Sequence, residues 1–236
     1  TRKKVEEAAR TLGYRPNAVA RALARRRTDI ITLVMPFPAV FSGHSAFMGS
    51  MLSSLVDAAR ANGFDVMLHI KEAESLEAEI AILVDGRADG ALVLRDANDP
   101  LIMRLQEEGL PCIFFLALPH FPEVASVTCD DAEGGRLAGQ YLLSLGHRQI
   151  GFVGGIEDSA ASQQRHLGLQ QALQGTGNPL APENTFIVPF RDAPLDMVLT
   201  RMARPDRPSA LFVWSDDVAI KLMGQLRQRL GLRIPE

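Results

Sequence analysis

Short apolar runs alternate with helix-length segments from Asp29 to the end of this 236-residue chain, and that rhythm leaves few folds open. The runs Ile30–Met35, Phe64–Ile70, Ala91–Leu94, Cys112–Leu116, Val124–Cys129, Gln149–Val153, Thr185–Val188 and Ala210–Trp214 read as strands. Between them, Ala46–Asn62, Leu76–Asp85, Leu101–Glu108, Glu133–Leu145, Gln163–Gln174, Leu195–Ala203 and Val218–Leu230 read as helices. Gly63, Gly109, Gly146 and Gly175 follow four of these helices and supply stop signals. Strands joined through helices cannot pair as hairpins. They require parallel sheets with right-handed crossovers, hence an α/β fold. The length suits two lobes better than one.

The first 27 residues have a different texture. Val5, Ala8, Ala9 and Leu12 recur at helical spacing, and Gly13 closes that helix. Tyr14-Arg15-Pro16-Asn17 is an extended link, because the residue before proline avoids the helical region. Asn17 can cap a second short helix, Ala18–Arg25, whose apolar positions are Val19, Ala22 and Leu23. Residues 1–27 hold nine Lys or Arg and two Glu, whereas the rest holds sixteen basic and twenty-six acidic residues. A basic arm on an acidic body points to a polyanion partner for the arm. The same balance also fits a solvated basic helix face.

Composition and motifs remove several functional classes. With 47% hydrophobic and 22% charged residues the chain is a soluble globular type. No apolar run reaches the ~18–20 residues of a membrane span. No apolar stretch follows Thr1-Arg-Lys-Lys4, so no leader is expected. Cys112 and Cys129 make no CxxC or Cys/His pattern, so neither a disulfide framework nor a metal site is expected, and a cytoplasmic home follows. Gly43-His-Ser-Ala-Phe47 lacks the last glycine of a nucleophile elbow, and Gly151-Phe-Val-Gly-Gly155 lacks dinucleotide-site spacing. There is no phosphate-binding GxxxxGK[ST]. No enzyme, catalytic residue or cofactor is expected. The first helix starts without a capping segment, and the final Gly231–Glu236 stops where a further strand would complete a sheet, so both ends are expected to be fragment ends.

The string Thr1 to Ala24, TRKKVEEAARTLGYRPNAVARALA, resembles the lactose-repressor (LacI/GalR) family, as the last helix of its DNA-binding headpiece joined to its hinge helix. Further matches follow in family order. They are Val84-Asp-Gly-Arg-Ala-Asp-Gly90, Asp131 with Gly134-Gly-Arg-Leu-Ala138, and Leu145-Gly-His-Arg-Gln-Ile-Gly-Phe-Val-Gly-Gly155. Arg165-His-Leu-Gly-Leu169, Ser215-Asp-Asp217 and Gly231-Leu-Arg-Ile-Pro235 complete the set. The resemblance covers essentially the whole chain. It implies two Rossmann-like lobes of the periplasmic-binding-protein type, with a small-molecule effector in the cleft between them. The expected division is residues 1–27 as partial headpiece and hinge, 28–128 as the first lobe and 129–236 as the second.

The same resemblance implies site residues. Leu23 would wedge between base steps in the minor groove of operator DNA, with Asn17 and Arg21 facing the groove or backbone and Tyr14, Arg15 and Arg25 the phosphates. Arg165 would grip the effector through its guanidinium fork. Ser215 stands where the family usually has asparagine, and Asp216 either touches the ligand or caps the following helix. Phe37, Phe41, His44 and Phe47, in the segment after the first strand, would line the cleft. Glu133 and Phe190 align with ligand-facing family positions. Arg95, at a strand's end, suits an anionic effector if unpaired and a surface salt bridge otherwise. The implied protein is a homodimeric DNA-binding repressor controlled by a sugar or sugar derivative, without membrane contact. A solute-binding protein of the same fold is the alternative.

Overall fold

The computed structural model describes residues 2–14, 17–35, 46–70, 73–95, 99–116, 124–155, 159–188 and 194–235. Two helices, α1 (Arg2–Thr11) and α2 (Ala18–Arg25), come first. A first βα series follows: β1 (Ile30–Val34), α3 (Ala46–Ala61), β2 (Asp65–His69), α4 (Leu76–Leu83), β3 (Gly90–Val93), α5 (Leu101–Glu107), β4 (Cys112–Phe115) and β5 (Ser126–Val127). The second series comprises α6 (Asp131–Ser144), β6 (Ile150–Gly154), α7 (Ala160–Leu173), β7 (Thr185–Ile187), α8 (Asp196–Met202), β8 (Ala210–Val213) and α9 (Asp216–Leu230).

These strands make two sheets, ordered β2-β1-β3-β4-β5 and β7-β6-β8, and every pairing among the described residues is parallel. In each sheet the first strand of the series lies inside, with its successors on opposite sides. β1 sits between β2 and β3, and β6 between β7 and β8. Strand order reverses at those two strands. Crossover helices leave them in opposite directions and open a crevice at their carboxyl ends, where open α/β sheets bind ligands.

Each sheet carries its own core. Val34, Val93 and Phe114 of the first pack against Ile80 and Leu83 of α4 and Leu101, Ile102 and Leu105 of α5. All five residues of β6 are buried, as a strand covered on both faces demands. Val153 and Phe186 face α8 and α9 through Val198, Leu199, Val218 and Leu222. Ile150 and Phe152 face the opposite way, onto Leu169 and Leu173 of α7.

Helix starts depart most from expectation, and N-caps explain the departures. α6 begins at Asp131, two residues before the expected Glu133, because the Asp130 side chain accepts from Glu133 N at 2.9 Å. α7 begins at Ala160 rather than Gln163, capped by Ser159 through Ser162 N at 3.3 Å. Ser215 likewise caps α9 through Val218 N at 3.4 Å. A capping oxygen satisfies backbone donors before the apolar period becomes visible. The strand expected at Val124–Cys129 shrinks to Ser126–Val127.

Helices α6 and α7 cross at a separation only glycine permits. A Cβ on Gly168 would overlap the Ala132 carbonyl oxygen, and one on Gly135 the Arg165 carbonyl oxygen. This crossing brings the first turn of α6 against α7 and so brings Asp131 to Arg165.

Candidate functional site

The crevice at the end of β6 opens at Gly155. Its amide donates to the buried Ser162 hydroxyl at 2.8 Å, which ties the turn to α7. The Trp214 indole lies where a Gly155 side chain would stand, 2.8 Å from that Cβ position, so glycine is needed for the ring to cover the turn. Trp214 directly follows β8, and its amide donates to Val153 O at 2.9 Å.

Arg165 joins three elements here. Its Nε donates to Asp131 Oδ1 at 2.8 Å, and its Nη1 donates to the Trp214 carbonyl oxygen. The guanidinium is thus fixed by the start of α6 and the end of β8, while 32% of the side chain stays exposed. A fork oriented by a carboxylate and a carbonyl can still present N–H groups to a ligand. The next residue, His166, stacks on Phe152 with ring centroids 4.7 Å apart. Burial pushes the His166 pKa below the ordinary histidine value, so the ring is neutral near pH 7.

Ser215 and Asp216 follow Trp214. Of the two roles open for Asp216, the helix cap falls to Ser215, and Asp216 is the first residue of α9. Asp216 and Asp217 place negative charge at the helix N-terminus, where the backbone dipole favours it.

At the carboxyl edge of the first sheet, Arg95 is not the unpaired cation that an anionic effector would want. Its Nη2 lies 2.5 Å from Glu79 Oε1 and its Nη1 3.8 Å from Asp99 Oδ2. His69, at the end of β2 and only 8% exposed, has Nε2 3.6 Å from the same Glu79 oxygen. Burial lowers the His69 pKa; Glu79 works against that and Arg95 with it. Charge compensation explains the pairing, since an arginine at this edge is costly to bury without acidic neighbours.

Glu133 does not join the Arg165 group. It pairs with Arg136 one turn on, and both side chains are partly exposed. Two residues along a helix turn the chain to the other side, so Asp131 and Glu133 cannot face one crevice. Phe47 lies in the first turn of α3 and is 54% exposed. Phe37, Phe41, His44, Phe190 and Arg15 lie outside the described residues. Asp131 and Trp214 were missed as site residues. Asp131 was visible only as a motif member, and Trp214 as the lone tryptophan at a strand end beside Ser-Asp.

At the other end of the chain, the Asn17 Oδ1 accepts from Ala20 N at 3.4 Å and caps α2. Leu23 is 81% exposed and Tyr14 63%, and Arg21 and Arg25 are also exposed. No helix among the described residues is long and apolar enough to cross a membrane, and no group of three or more potential metal ligands occurs among them.

Comparison with known proteins agrees with this geometry. The family described as periplasmic binding proteins and sugar binding domain of LacI family matches residues 30–191. The transcriptional regulator CelR of Thermobifida fusca is 30% identical over 245 residues, spanning all of this chain and 71% of its own length. The transcriptional repressor PurR of Aliivibrio salmonicida is 29% identical over 241 residues, again spanning all of this chain and 71% of its own. A solved structure titled as a complex of the regulator CelR with cellobiose superposes with a TM-score of 0.75 at 29% identity. It covers 99% of this chain and 70% of that one. The relatives are transcriptional regulators rather than enzymes, and their similarity runs through residues 1–29, which a solute-binding protein would not need. The chain belongs to the LacI family of DNA-binding transcriptional regulators.

Proposed function

We propose that this regulator's DNA affinity is set by a sugar or sugar derivative bound between two lobes, residues 28–128 and 129–236. The observation that carries the reading is Arg165. It lies at the topological crevice of the second sheet, oriented by Asp131 and the Trp214 carbonyl, with a third of its side chain open. A fixed guanidinium suits a sugar ring, which offers hydroxyl acceptors on its edge. The cellobiose in the CelR complex, a relative of the same fold, supports that ligand class. Ser215 and Asp216 would flank the same ligand. Phe37, Phe41, His44 and Phe47 after β1 and Phe190 after β7 are assigned to the remaining walls.

Residues 1–27 are assigned to DNA. Leu23 is the apolar wedge in the minor groove, Asn17 and Arg21 face groove or backbone, and Tyr14, Arg15 and Arg25 meet phosphates. The protein acts as a cytoplasmic homodimer, with no membrane contact and no catalysis of its own.

A thermal-shift screen against sugars, sugar acids, sugar phosphates, nucleosides and purines tests the effector site. At ~100 times its dissociation constant a ligand adds ~2.7 kcal/mol. One class is expected to raise Tm in the parent protein and to fail with Arg165→Ala. Arg165→Lys keeps the charge but not the fork and is expected to lose most of the shift. A hit whose shift survives both substitutions would place the effector elsewhere.

A further inference from the structure

The joint between α2 and β1 is held by one carboxylate from elsewhere in the chain. Asp89, in the turn before β3, accepts from Thr28 N at 2.7 Å and Thr28 Oγ1 at 2.8 Å through Oδ1. Through Oδ2 it accepts from Asp29 N at 2.8 Å. Its own amide donates to Ile30 O at 2.8 Å, and Asp65 N donates to Asp29 O at 2.8 Å. Arg27 closes the joint from outside, with Nε 2.6 Å from Asp29 Oδ1 and 3.7 Å from Asp89 Oδ2, and its guanidinium 5.1 Å over the Phe64 ring centroid.

The backbone at this joint needs such a hold. Arg26 and Asp29 have φ of +51° and +58°, the left-handed region that a free chain rarely visits without glycine. A carboxylate that gathers two amides and a hydroxyl from adjacent residues fixes that path. The exposed Leu23, Arg21 and Arg25 contribute little grip of their own, so the direction in which α2 leaves the sheet is decided at residues 26–29.

We infer that the Asp89 carboxylate is a positioning residue for DNA binding, the anchor that holds Leu23 and Arg25 where α2 meets the duplex. The inference rests on the DNA-facing role proposed above for α2. Asp89 acts through the chain and touches no DNA itself.

The test uses the full-length protein and a duplex selected from random DNA by the parent protein. Affinity is measured by fluorescence anisotropy across a salt series. Asp89→Asn is expected to weaken binding at least tenfold, and Thr28→Val, which removes the hydroxyl that donates to Asp89 and accepts from the Ile30 amide, about threefold. The slope of log affinity against log salt becomes shallower by about 0.9 for each phosphate that the protein no longer neutralises. A role confined to stability would lower the active fraction and leave that slope unchanged. Hydrogen exchange at the Thr28 and Asp29 amides reports whether the clamp has opened. An opened clamp with parent affinity and slope overturns the inference, as does weaker binding with the parent slope. Arg25→Ala separates the two readings. If it leaves the slope unchanged, the DNA role of α2 fails. If it flattens the slope and Asp89→Asn does not, only the anchor fails.

Discussion

At Gly168 a single methyl group decides whether two helices can meet. Replacing a helical glycine by alanine ordinarily stabilises by up to about 1 kcal/mol. Here the new Cβ would overlap the Ala132 carbonyl oxygen, a backbone atom that no rotamer change can move aside. Overpacking of this kind costs about 1–3 kcal/mol and outweighs the propensity gain. Gly168→Ala is expected to destabilise by about 1–2 kcal/mol in urea denaturation, and to weaken effector binding because Asp131 moves from Arg165. Two partly buried histidines make a second prediction. His69 and His166 both have pKa values lowered from 6.5 by burial. The unfolded chain therefore takes up protons that the folded one resists. Their contribution is complete above about pH 6.5 and is lost as pH falls toward the lowered folded values, by up to about 1.4 kcal/mol per pH unit for each ring. Tm is expected to fall as pH drops below about 6.5, and His166→Phe, which keeps the stack on Phe152, to flatten that fall.

Elements show how much the sequence carried and where it stopped. Strand and helix order was legible from hydrophobic period alone, because β1, β3 and β6 are mostly apolar runs in parallel sheets. Helix starts were not, since Asp130, Ser159 and Ser215 act through one side-chain oxygen each and leave no periodic trace. The site divides the same way. Arg165 could be found from motif order, but its partners could not: Asp131, 34 residues away, arrives through the glycine-dependent crossing of α6 and α7, and Trp214, 49 residues away, through the pairing of β8 with β6. Arg95 could be placed at a strand end, yet its pairing with Glu79 depends on how α4 lies beside the sheet. Caps also give a measurable quantity. Ser215→Ala removes the hydrogen bond to Val218 N and is expected to cost about 1 kcal/mol in chemical denaturation. Ser162→Ala leaves the buried Gly155 amide without its acceptor and is expected to cost more, about 1–3 kcal/mol.

Across the whole molecule, charge is segregated. Residues 1–27 carry nine basic side chains and two acidic ones, on a body in which acidic residues outnumber basic. DNA binding is therefore expected to weaken steeply with salt, while effector binding at Arg165 changes little, because a fixed, partly buried guanidinium is screened less than an exposed arm. We propose that an effector bridging the lobes stabilises one relative lobe orientation and so alters the hinge geometry that DNA meets. Each ligand then alters the other's affinity by the same factor. The most direct test measures duplex affinity with and without a saturating effector found in the screen, and effector affinity with and without the duplex. The account predicts a change of about five- to 150-fold in each, equal within error and abolished by Arg165→Ala. Identical duplex affinity in the presence and absence of a bound effector would contradict it.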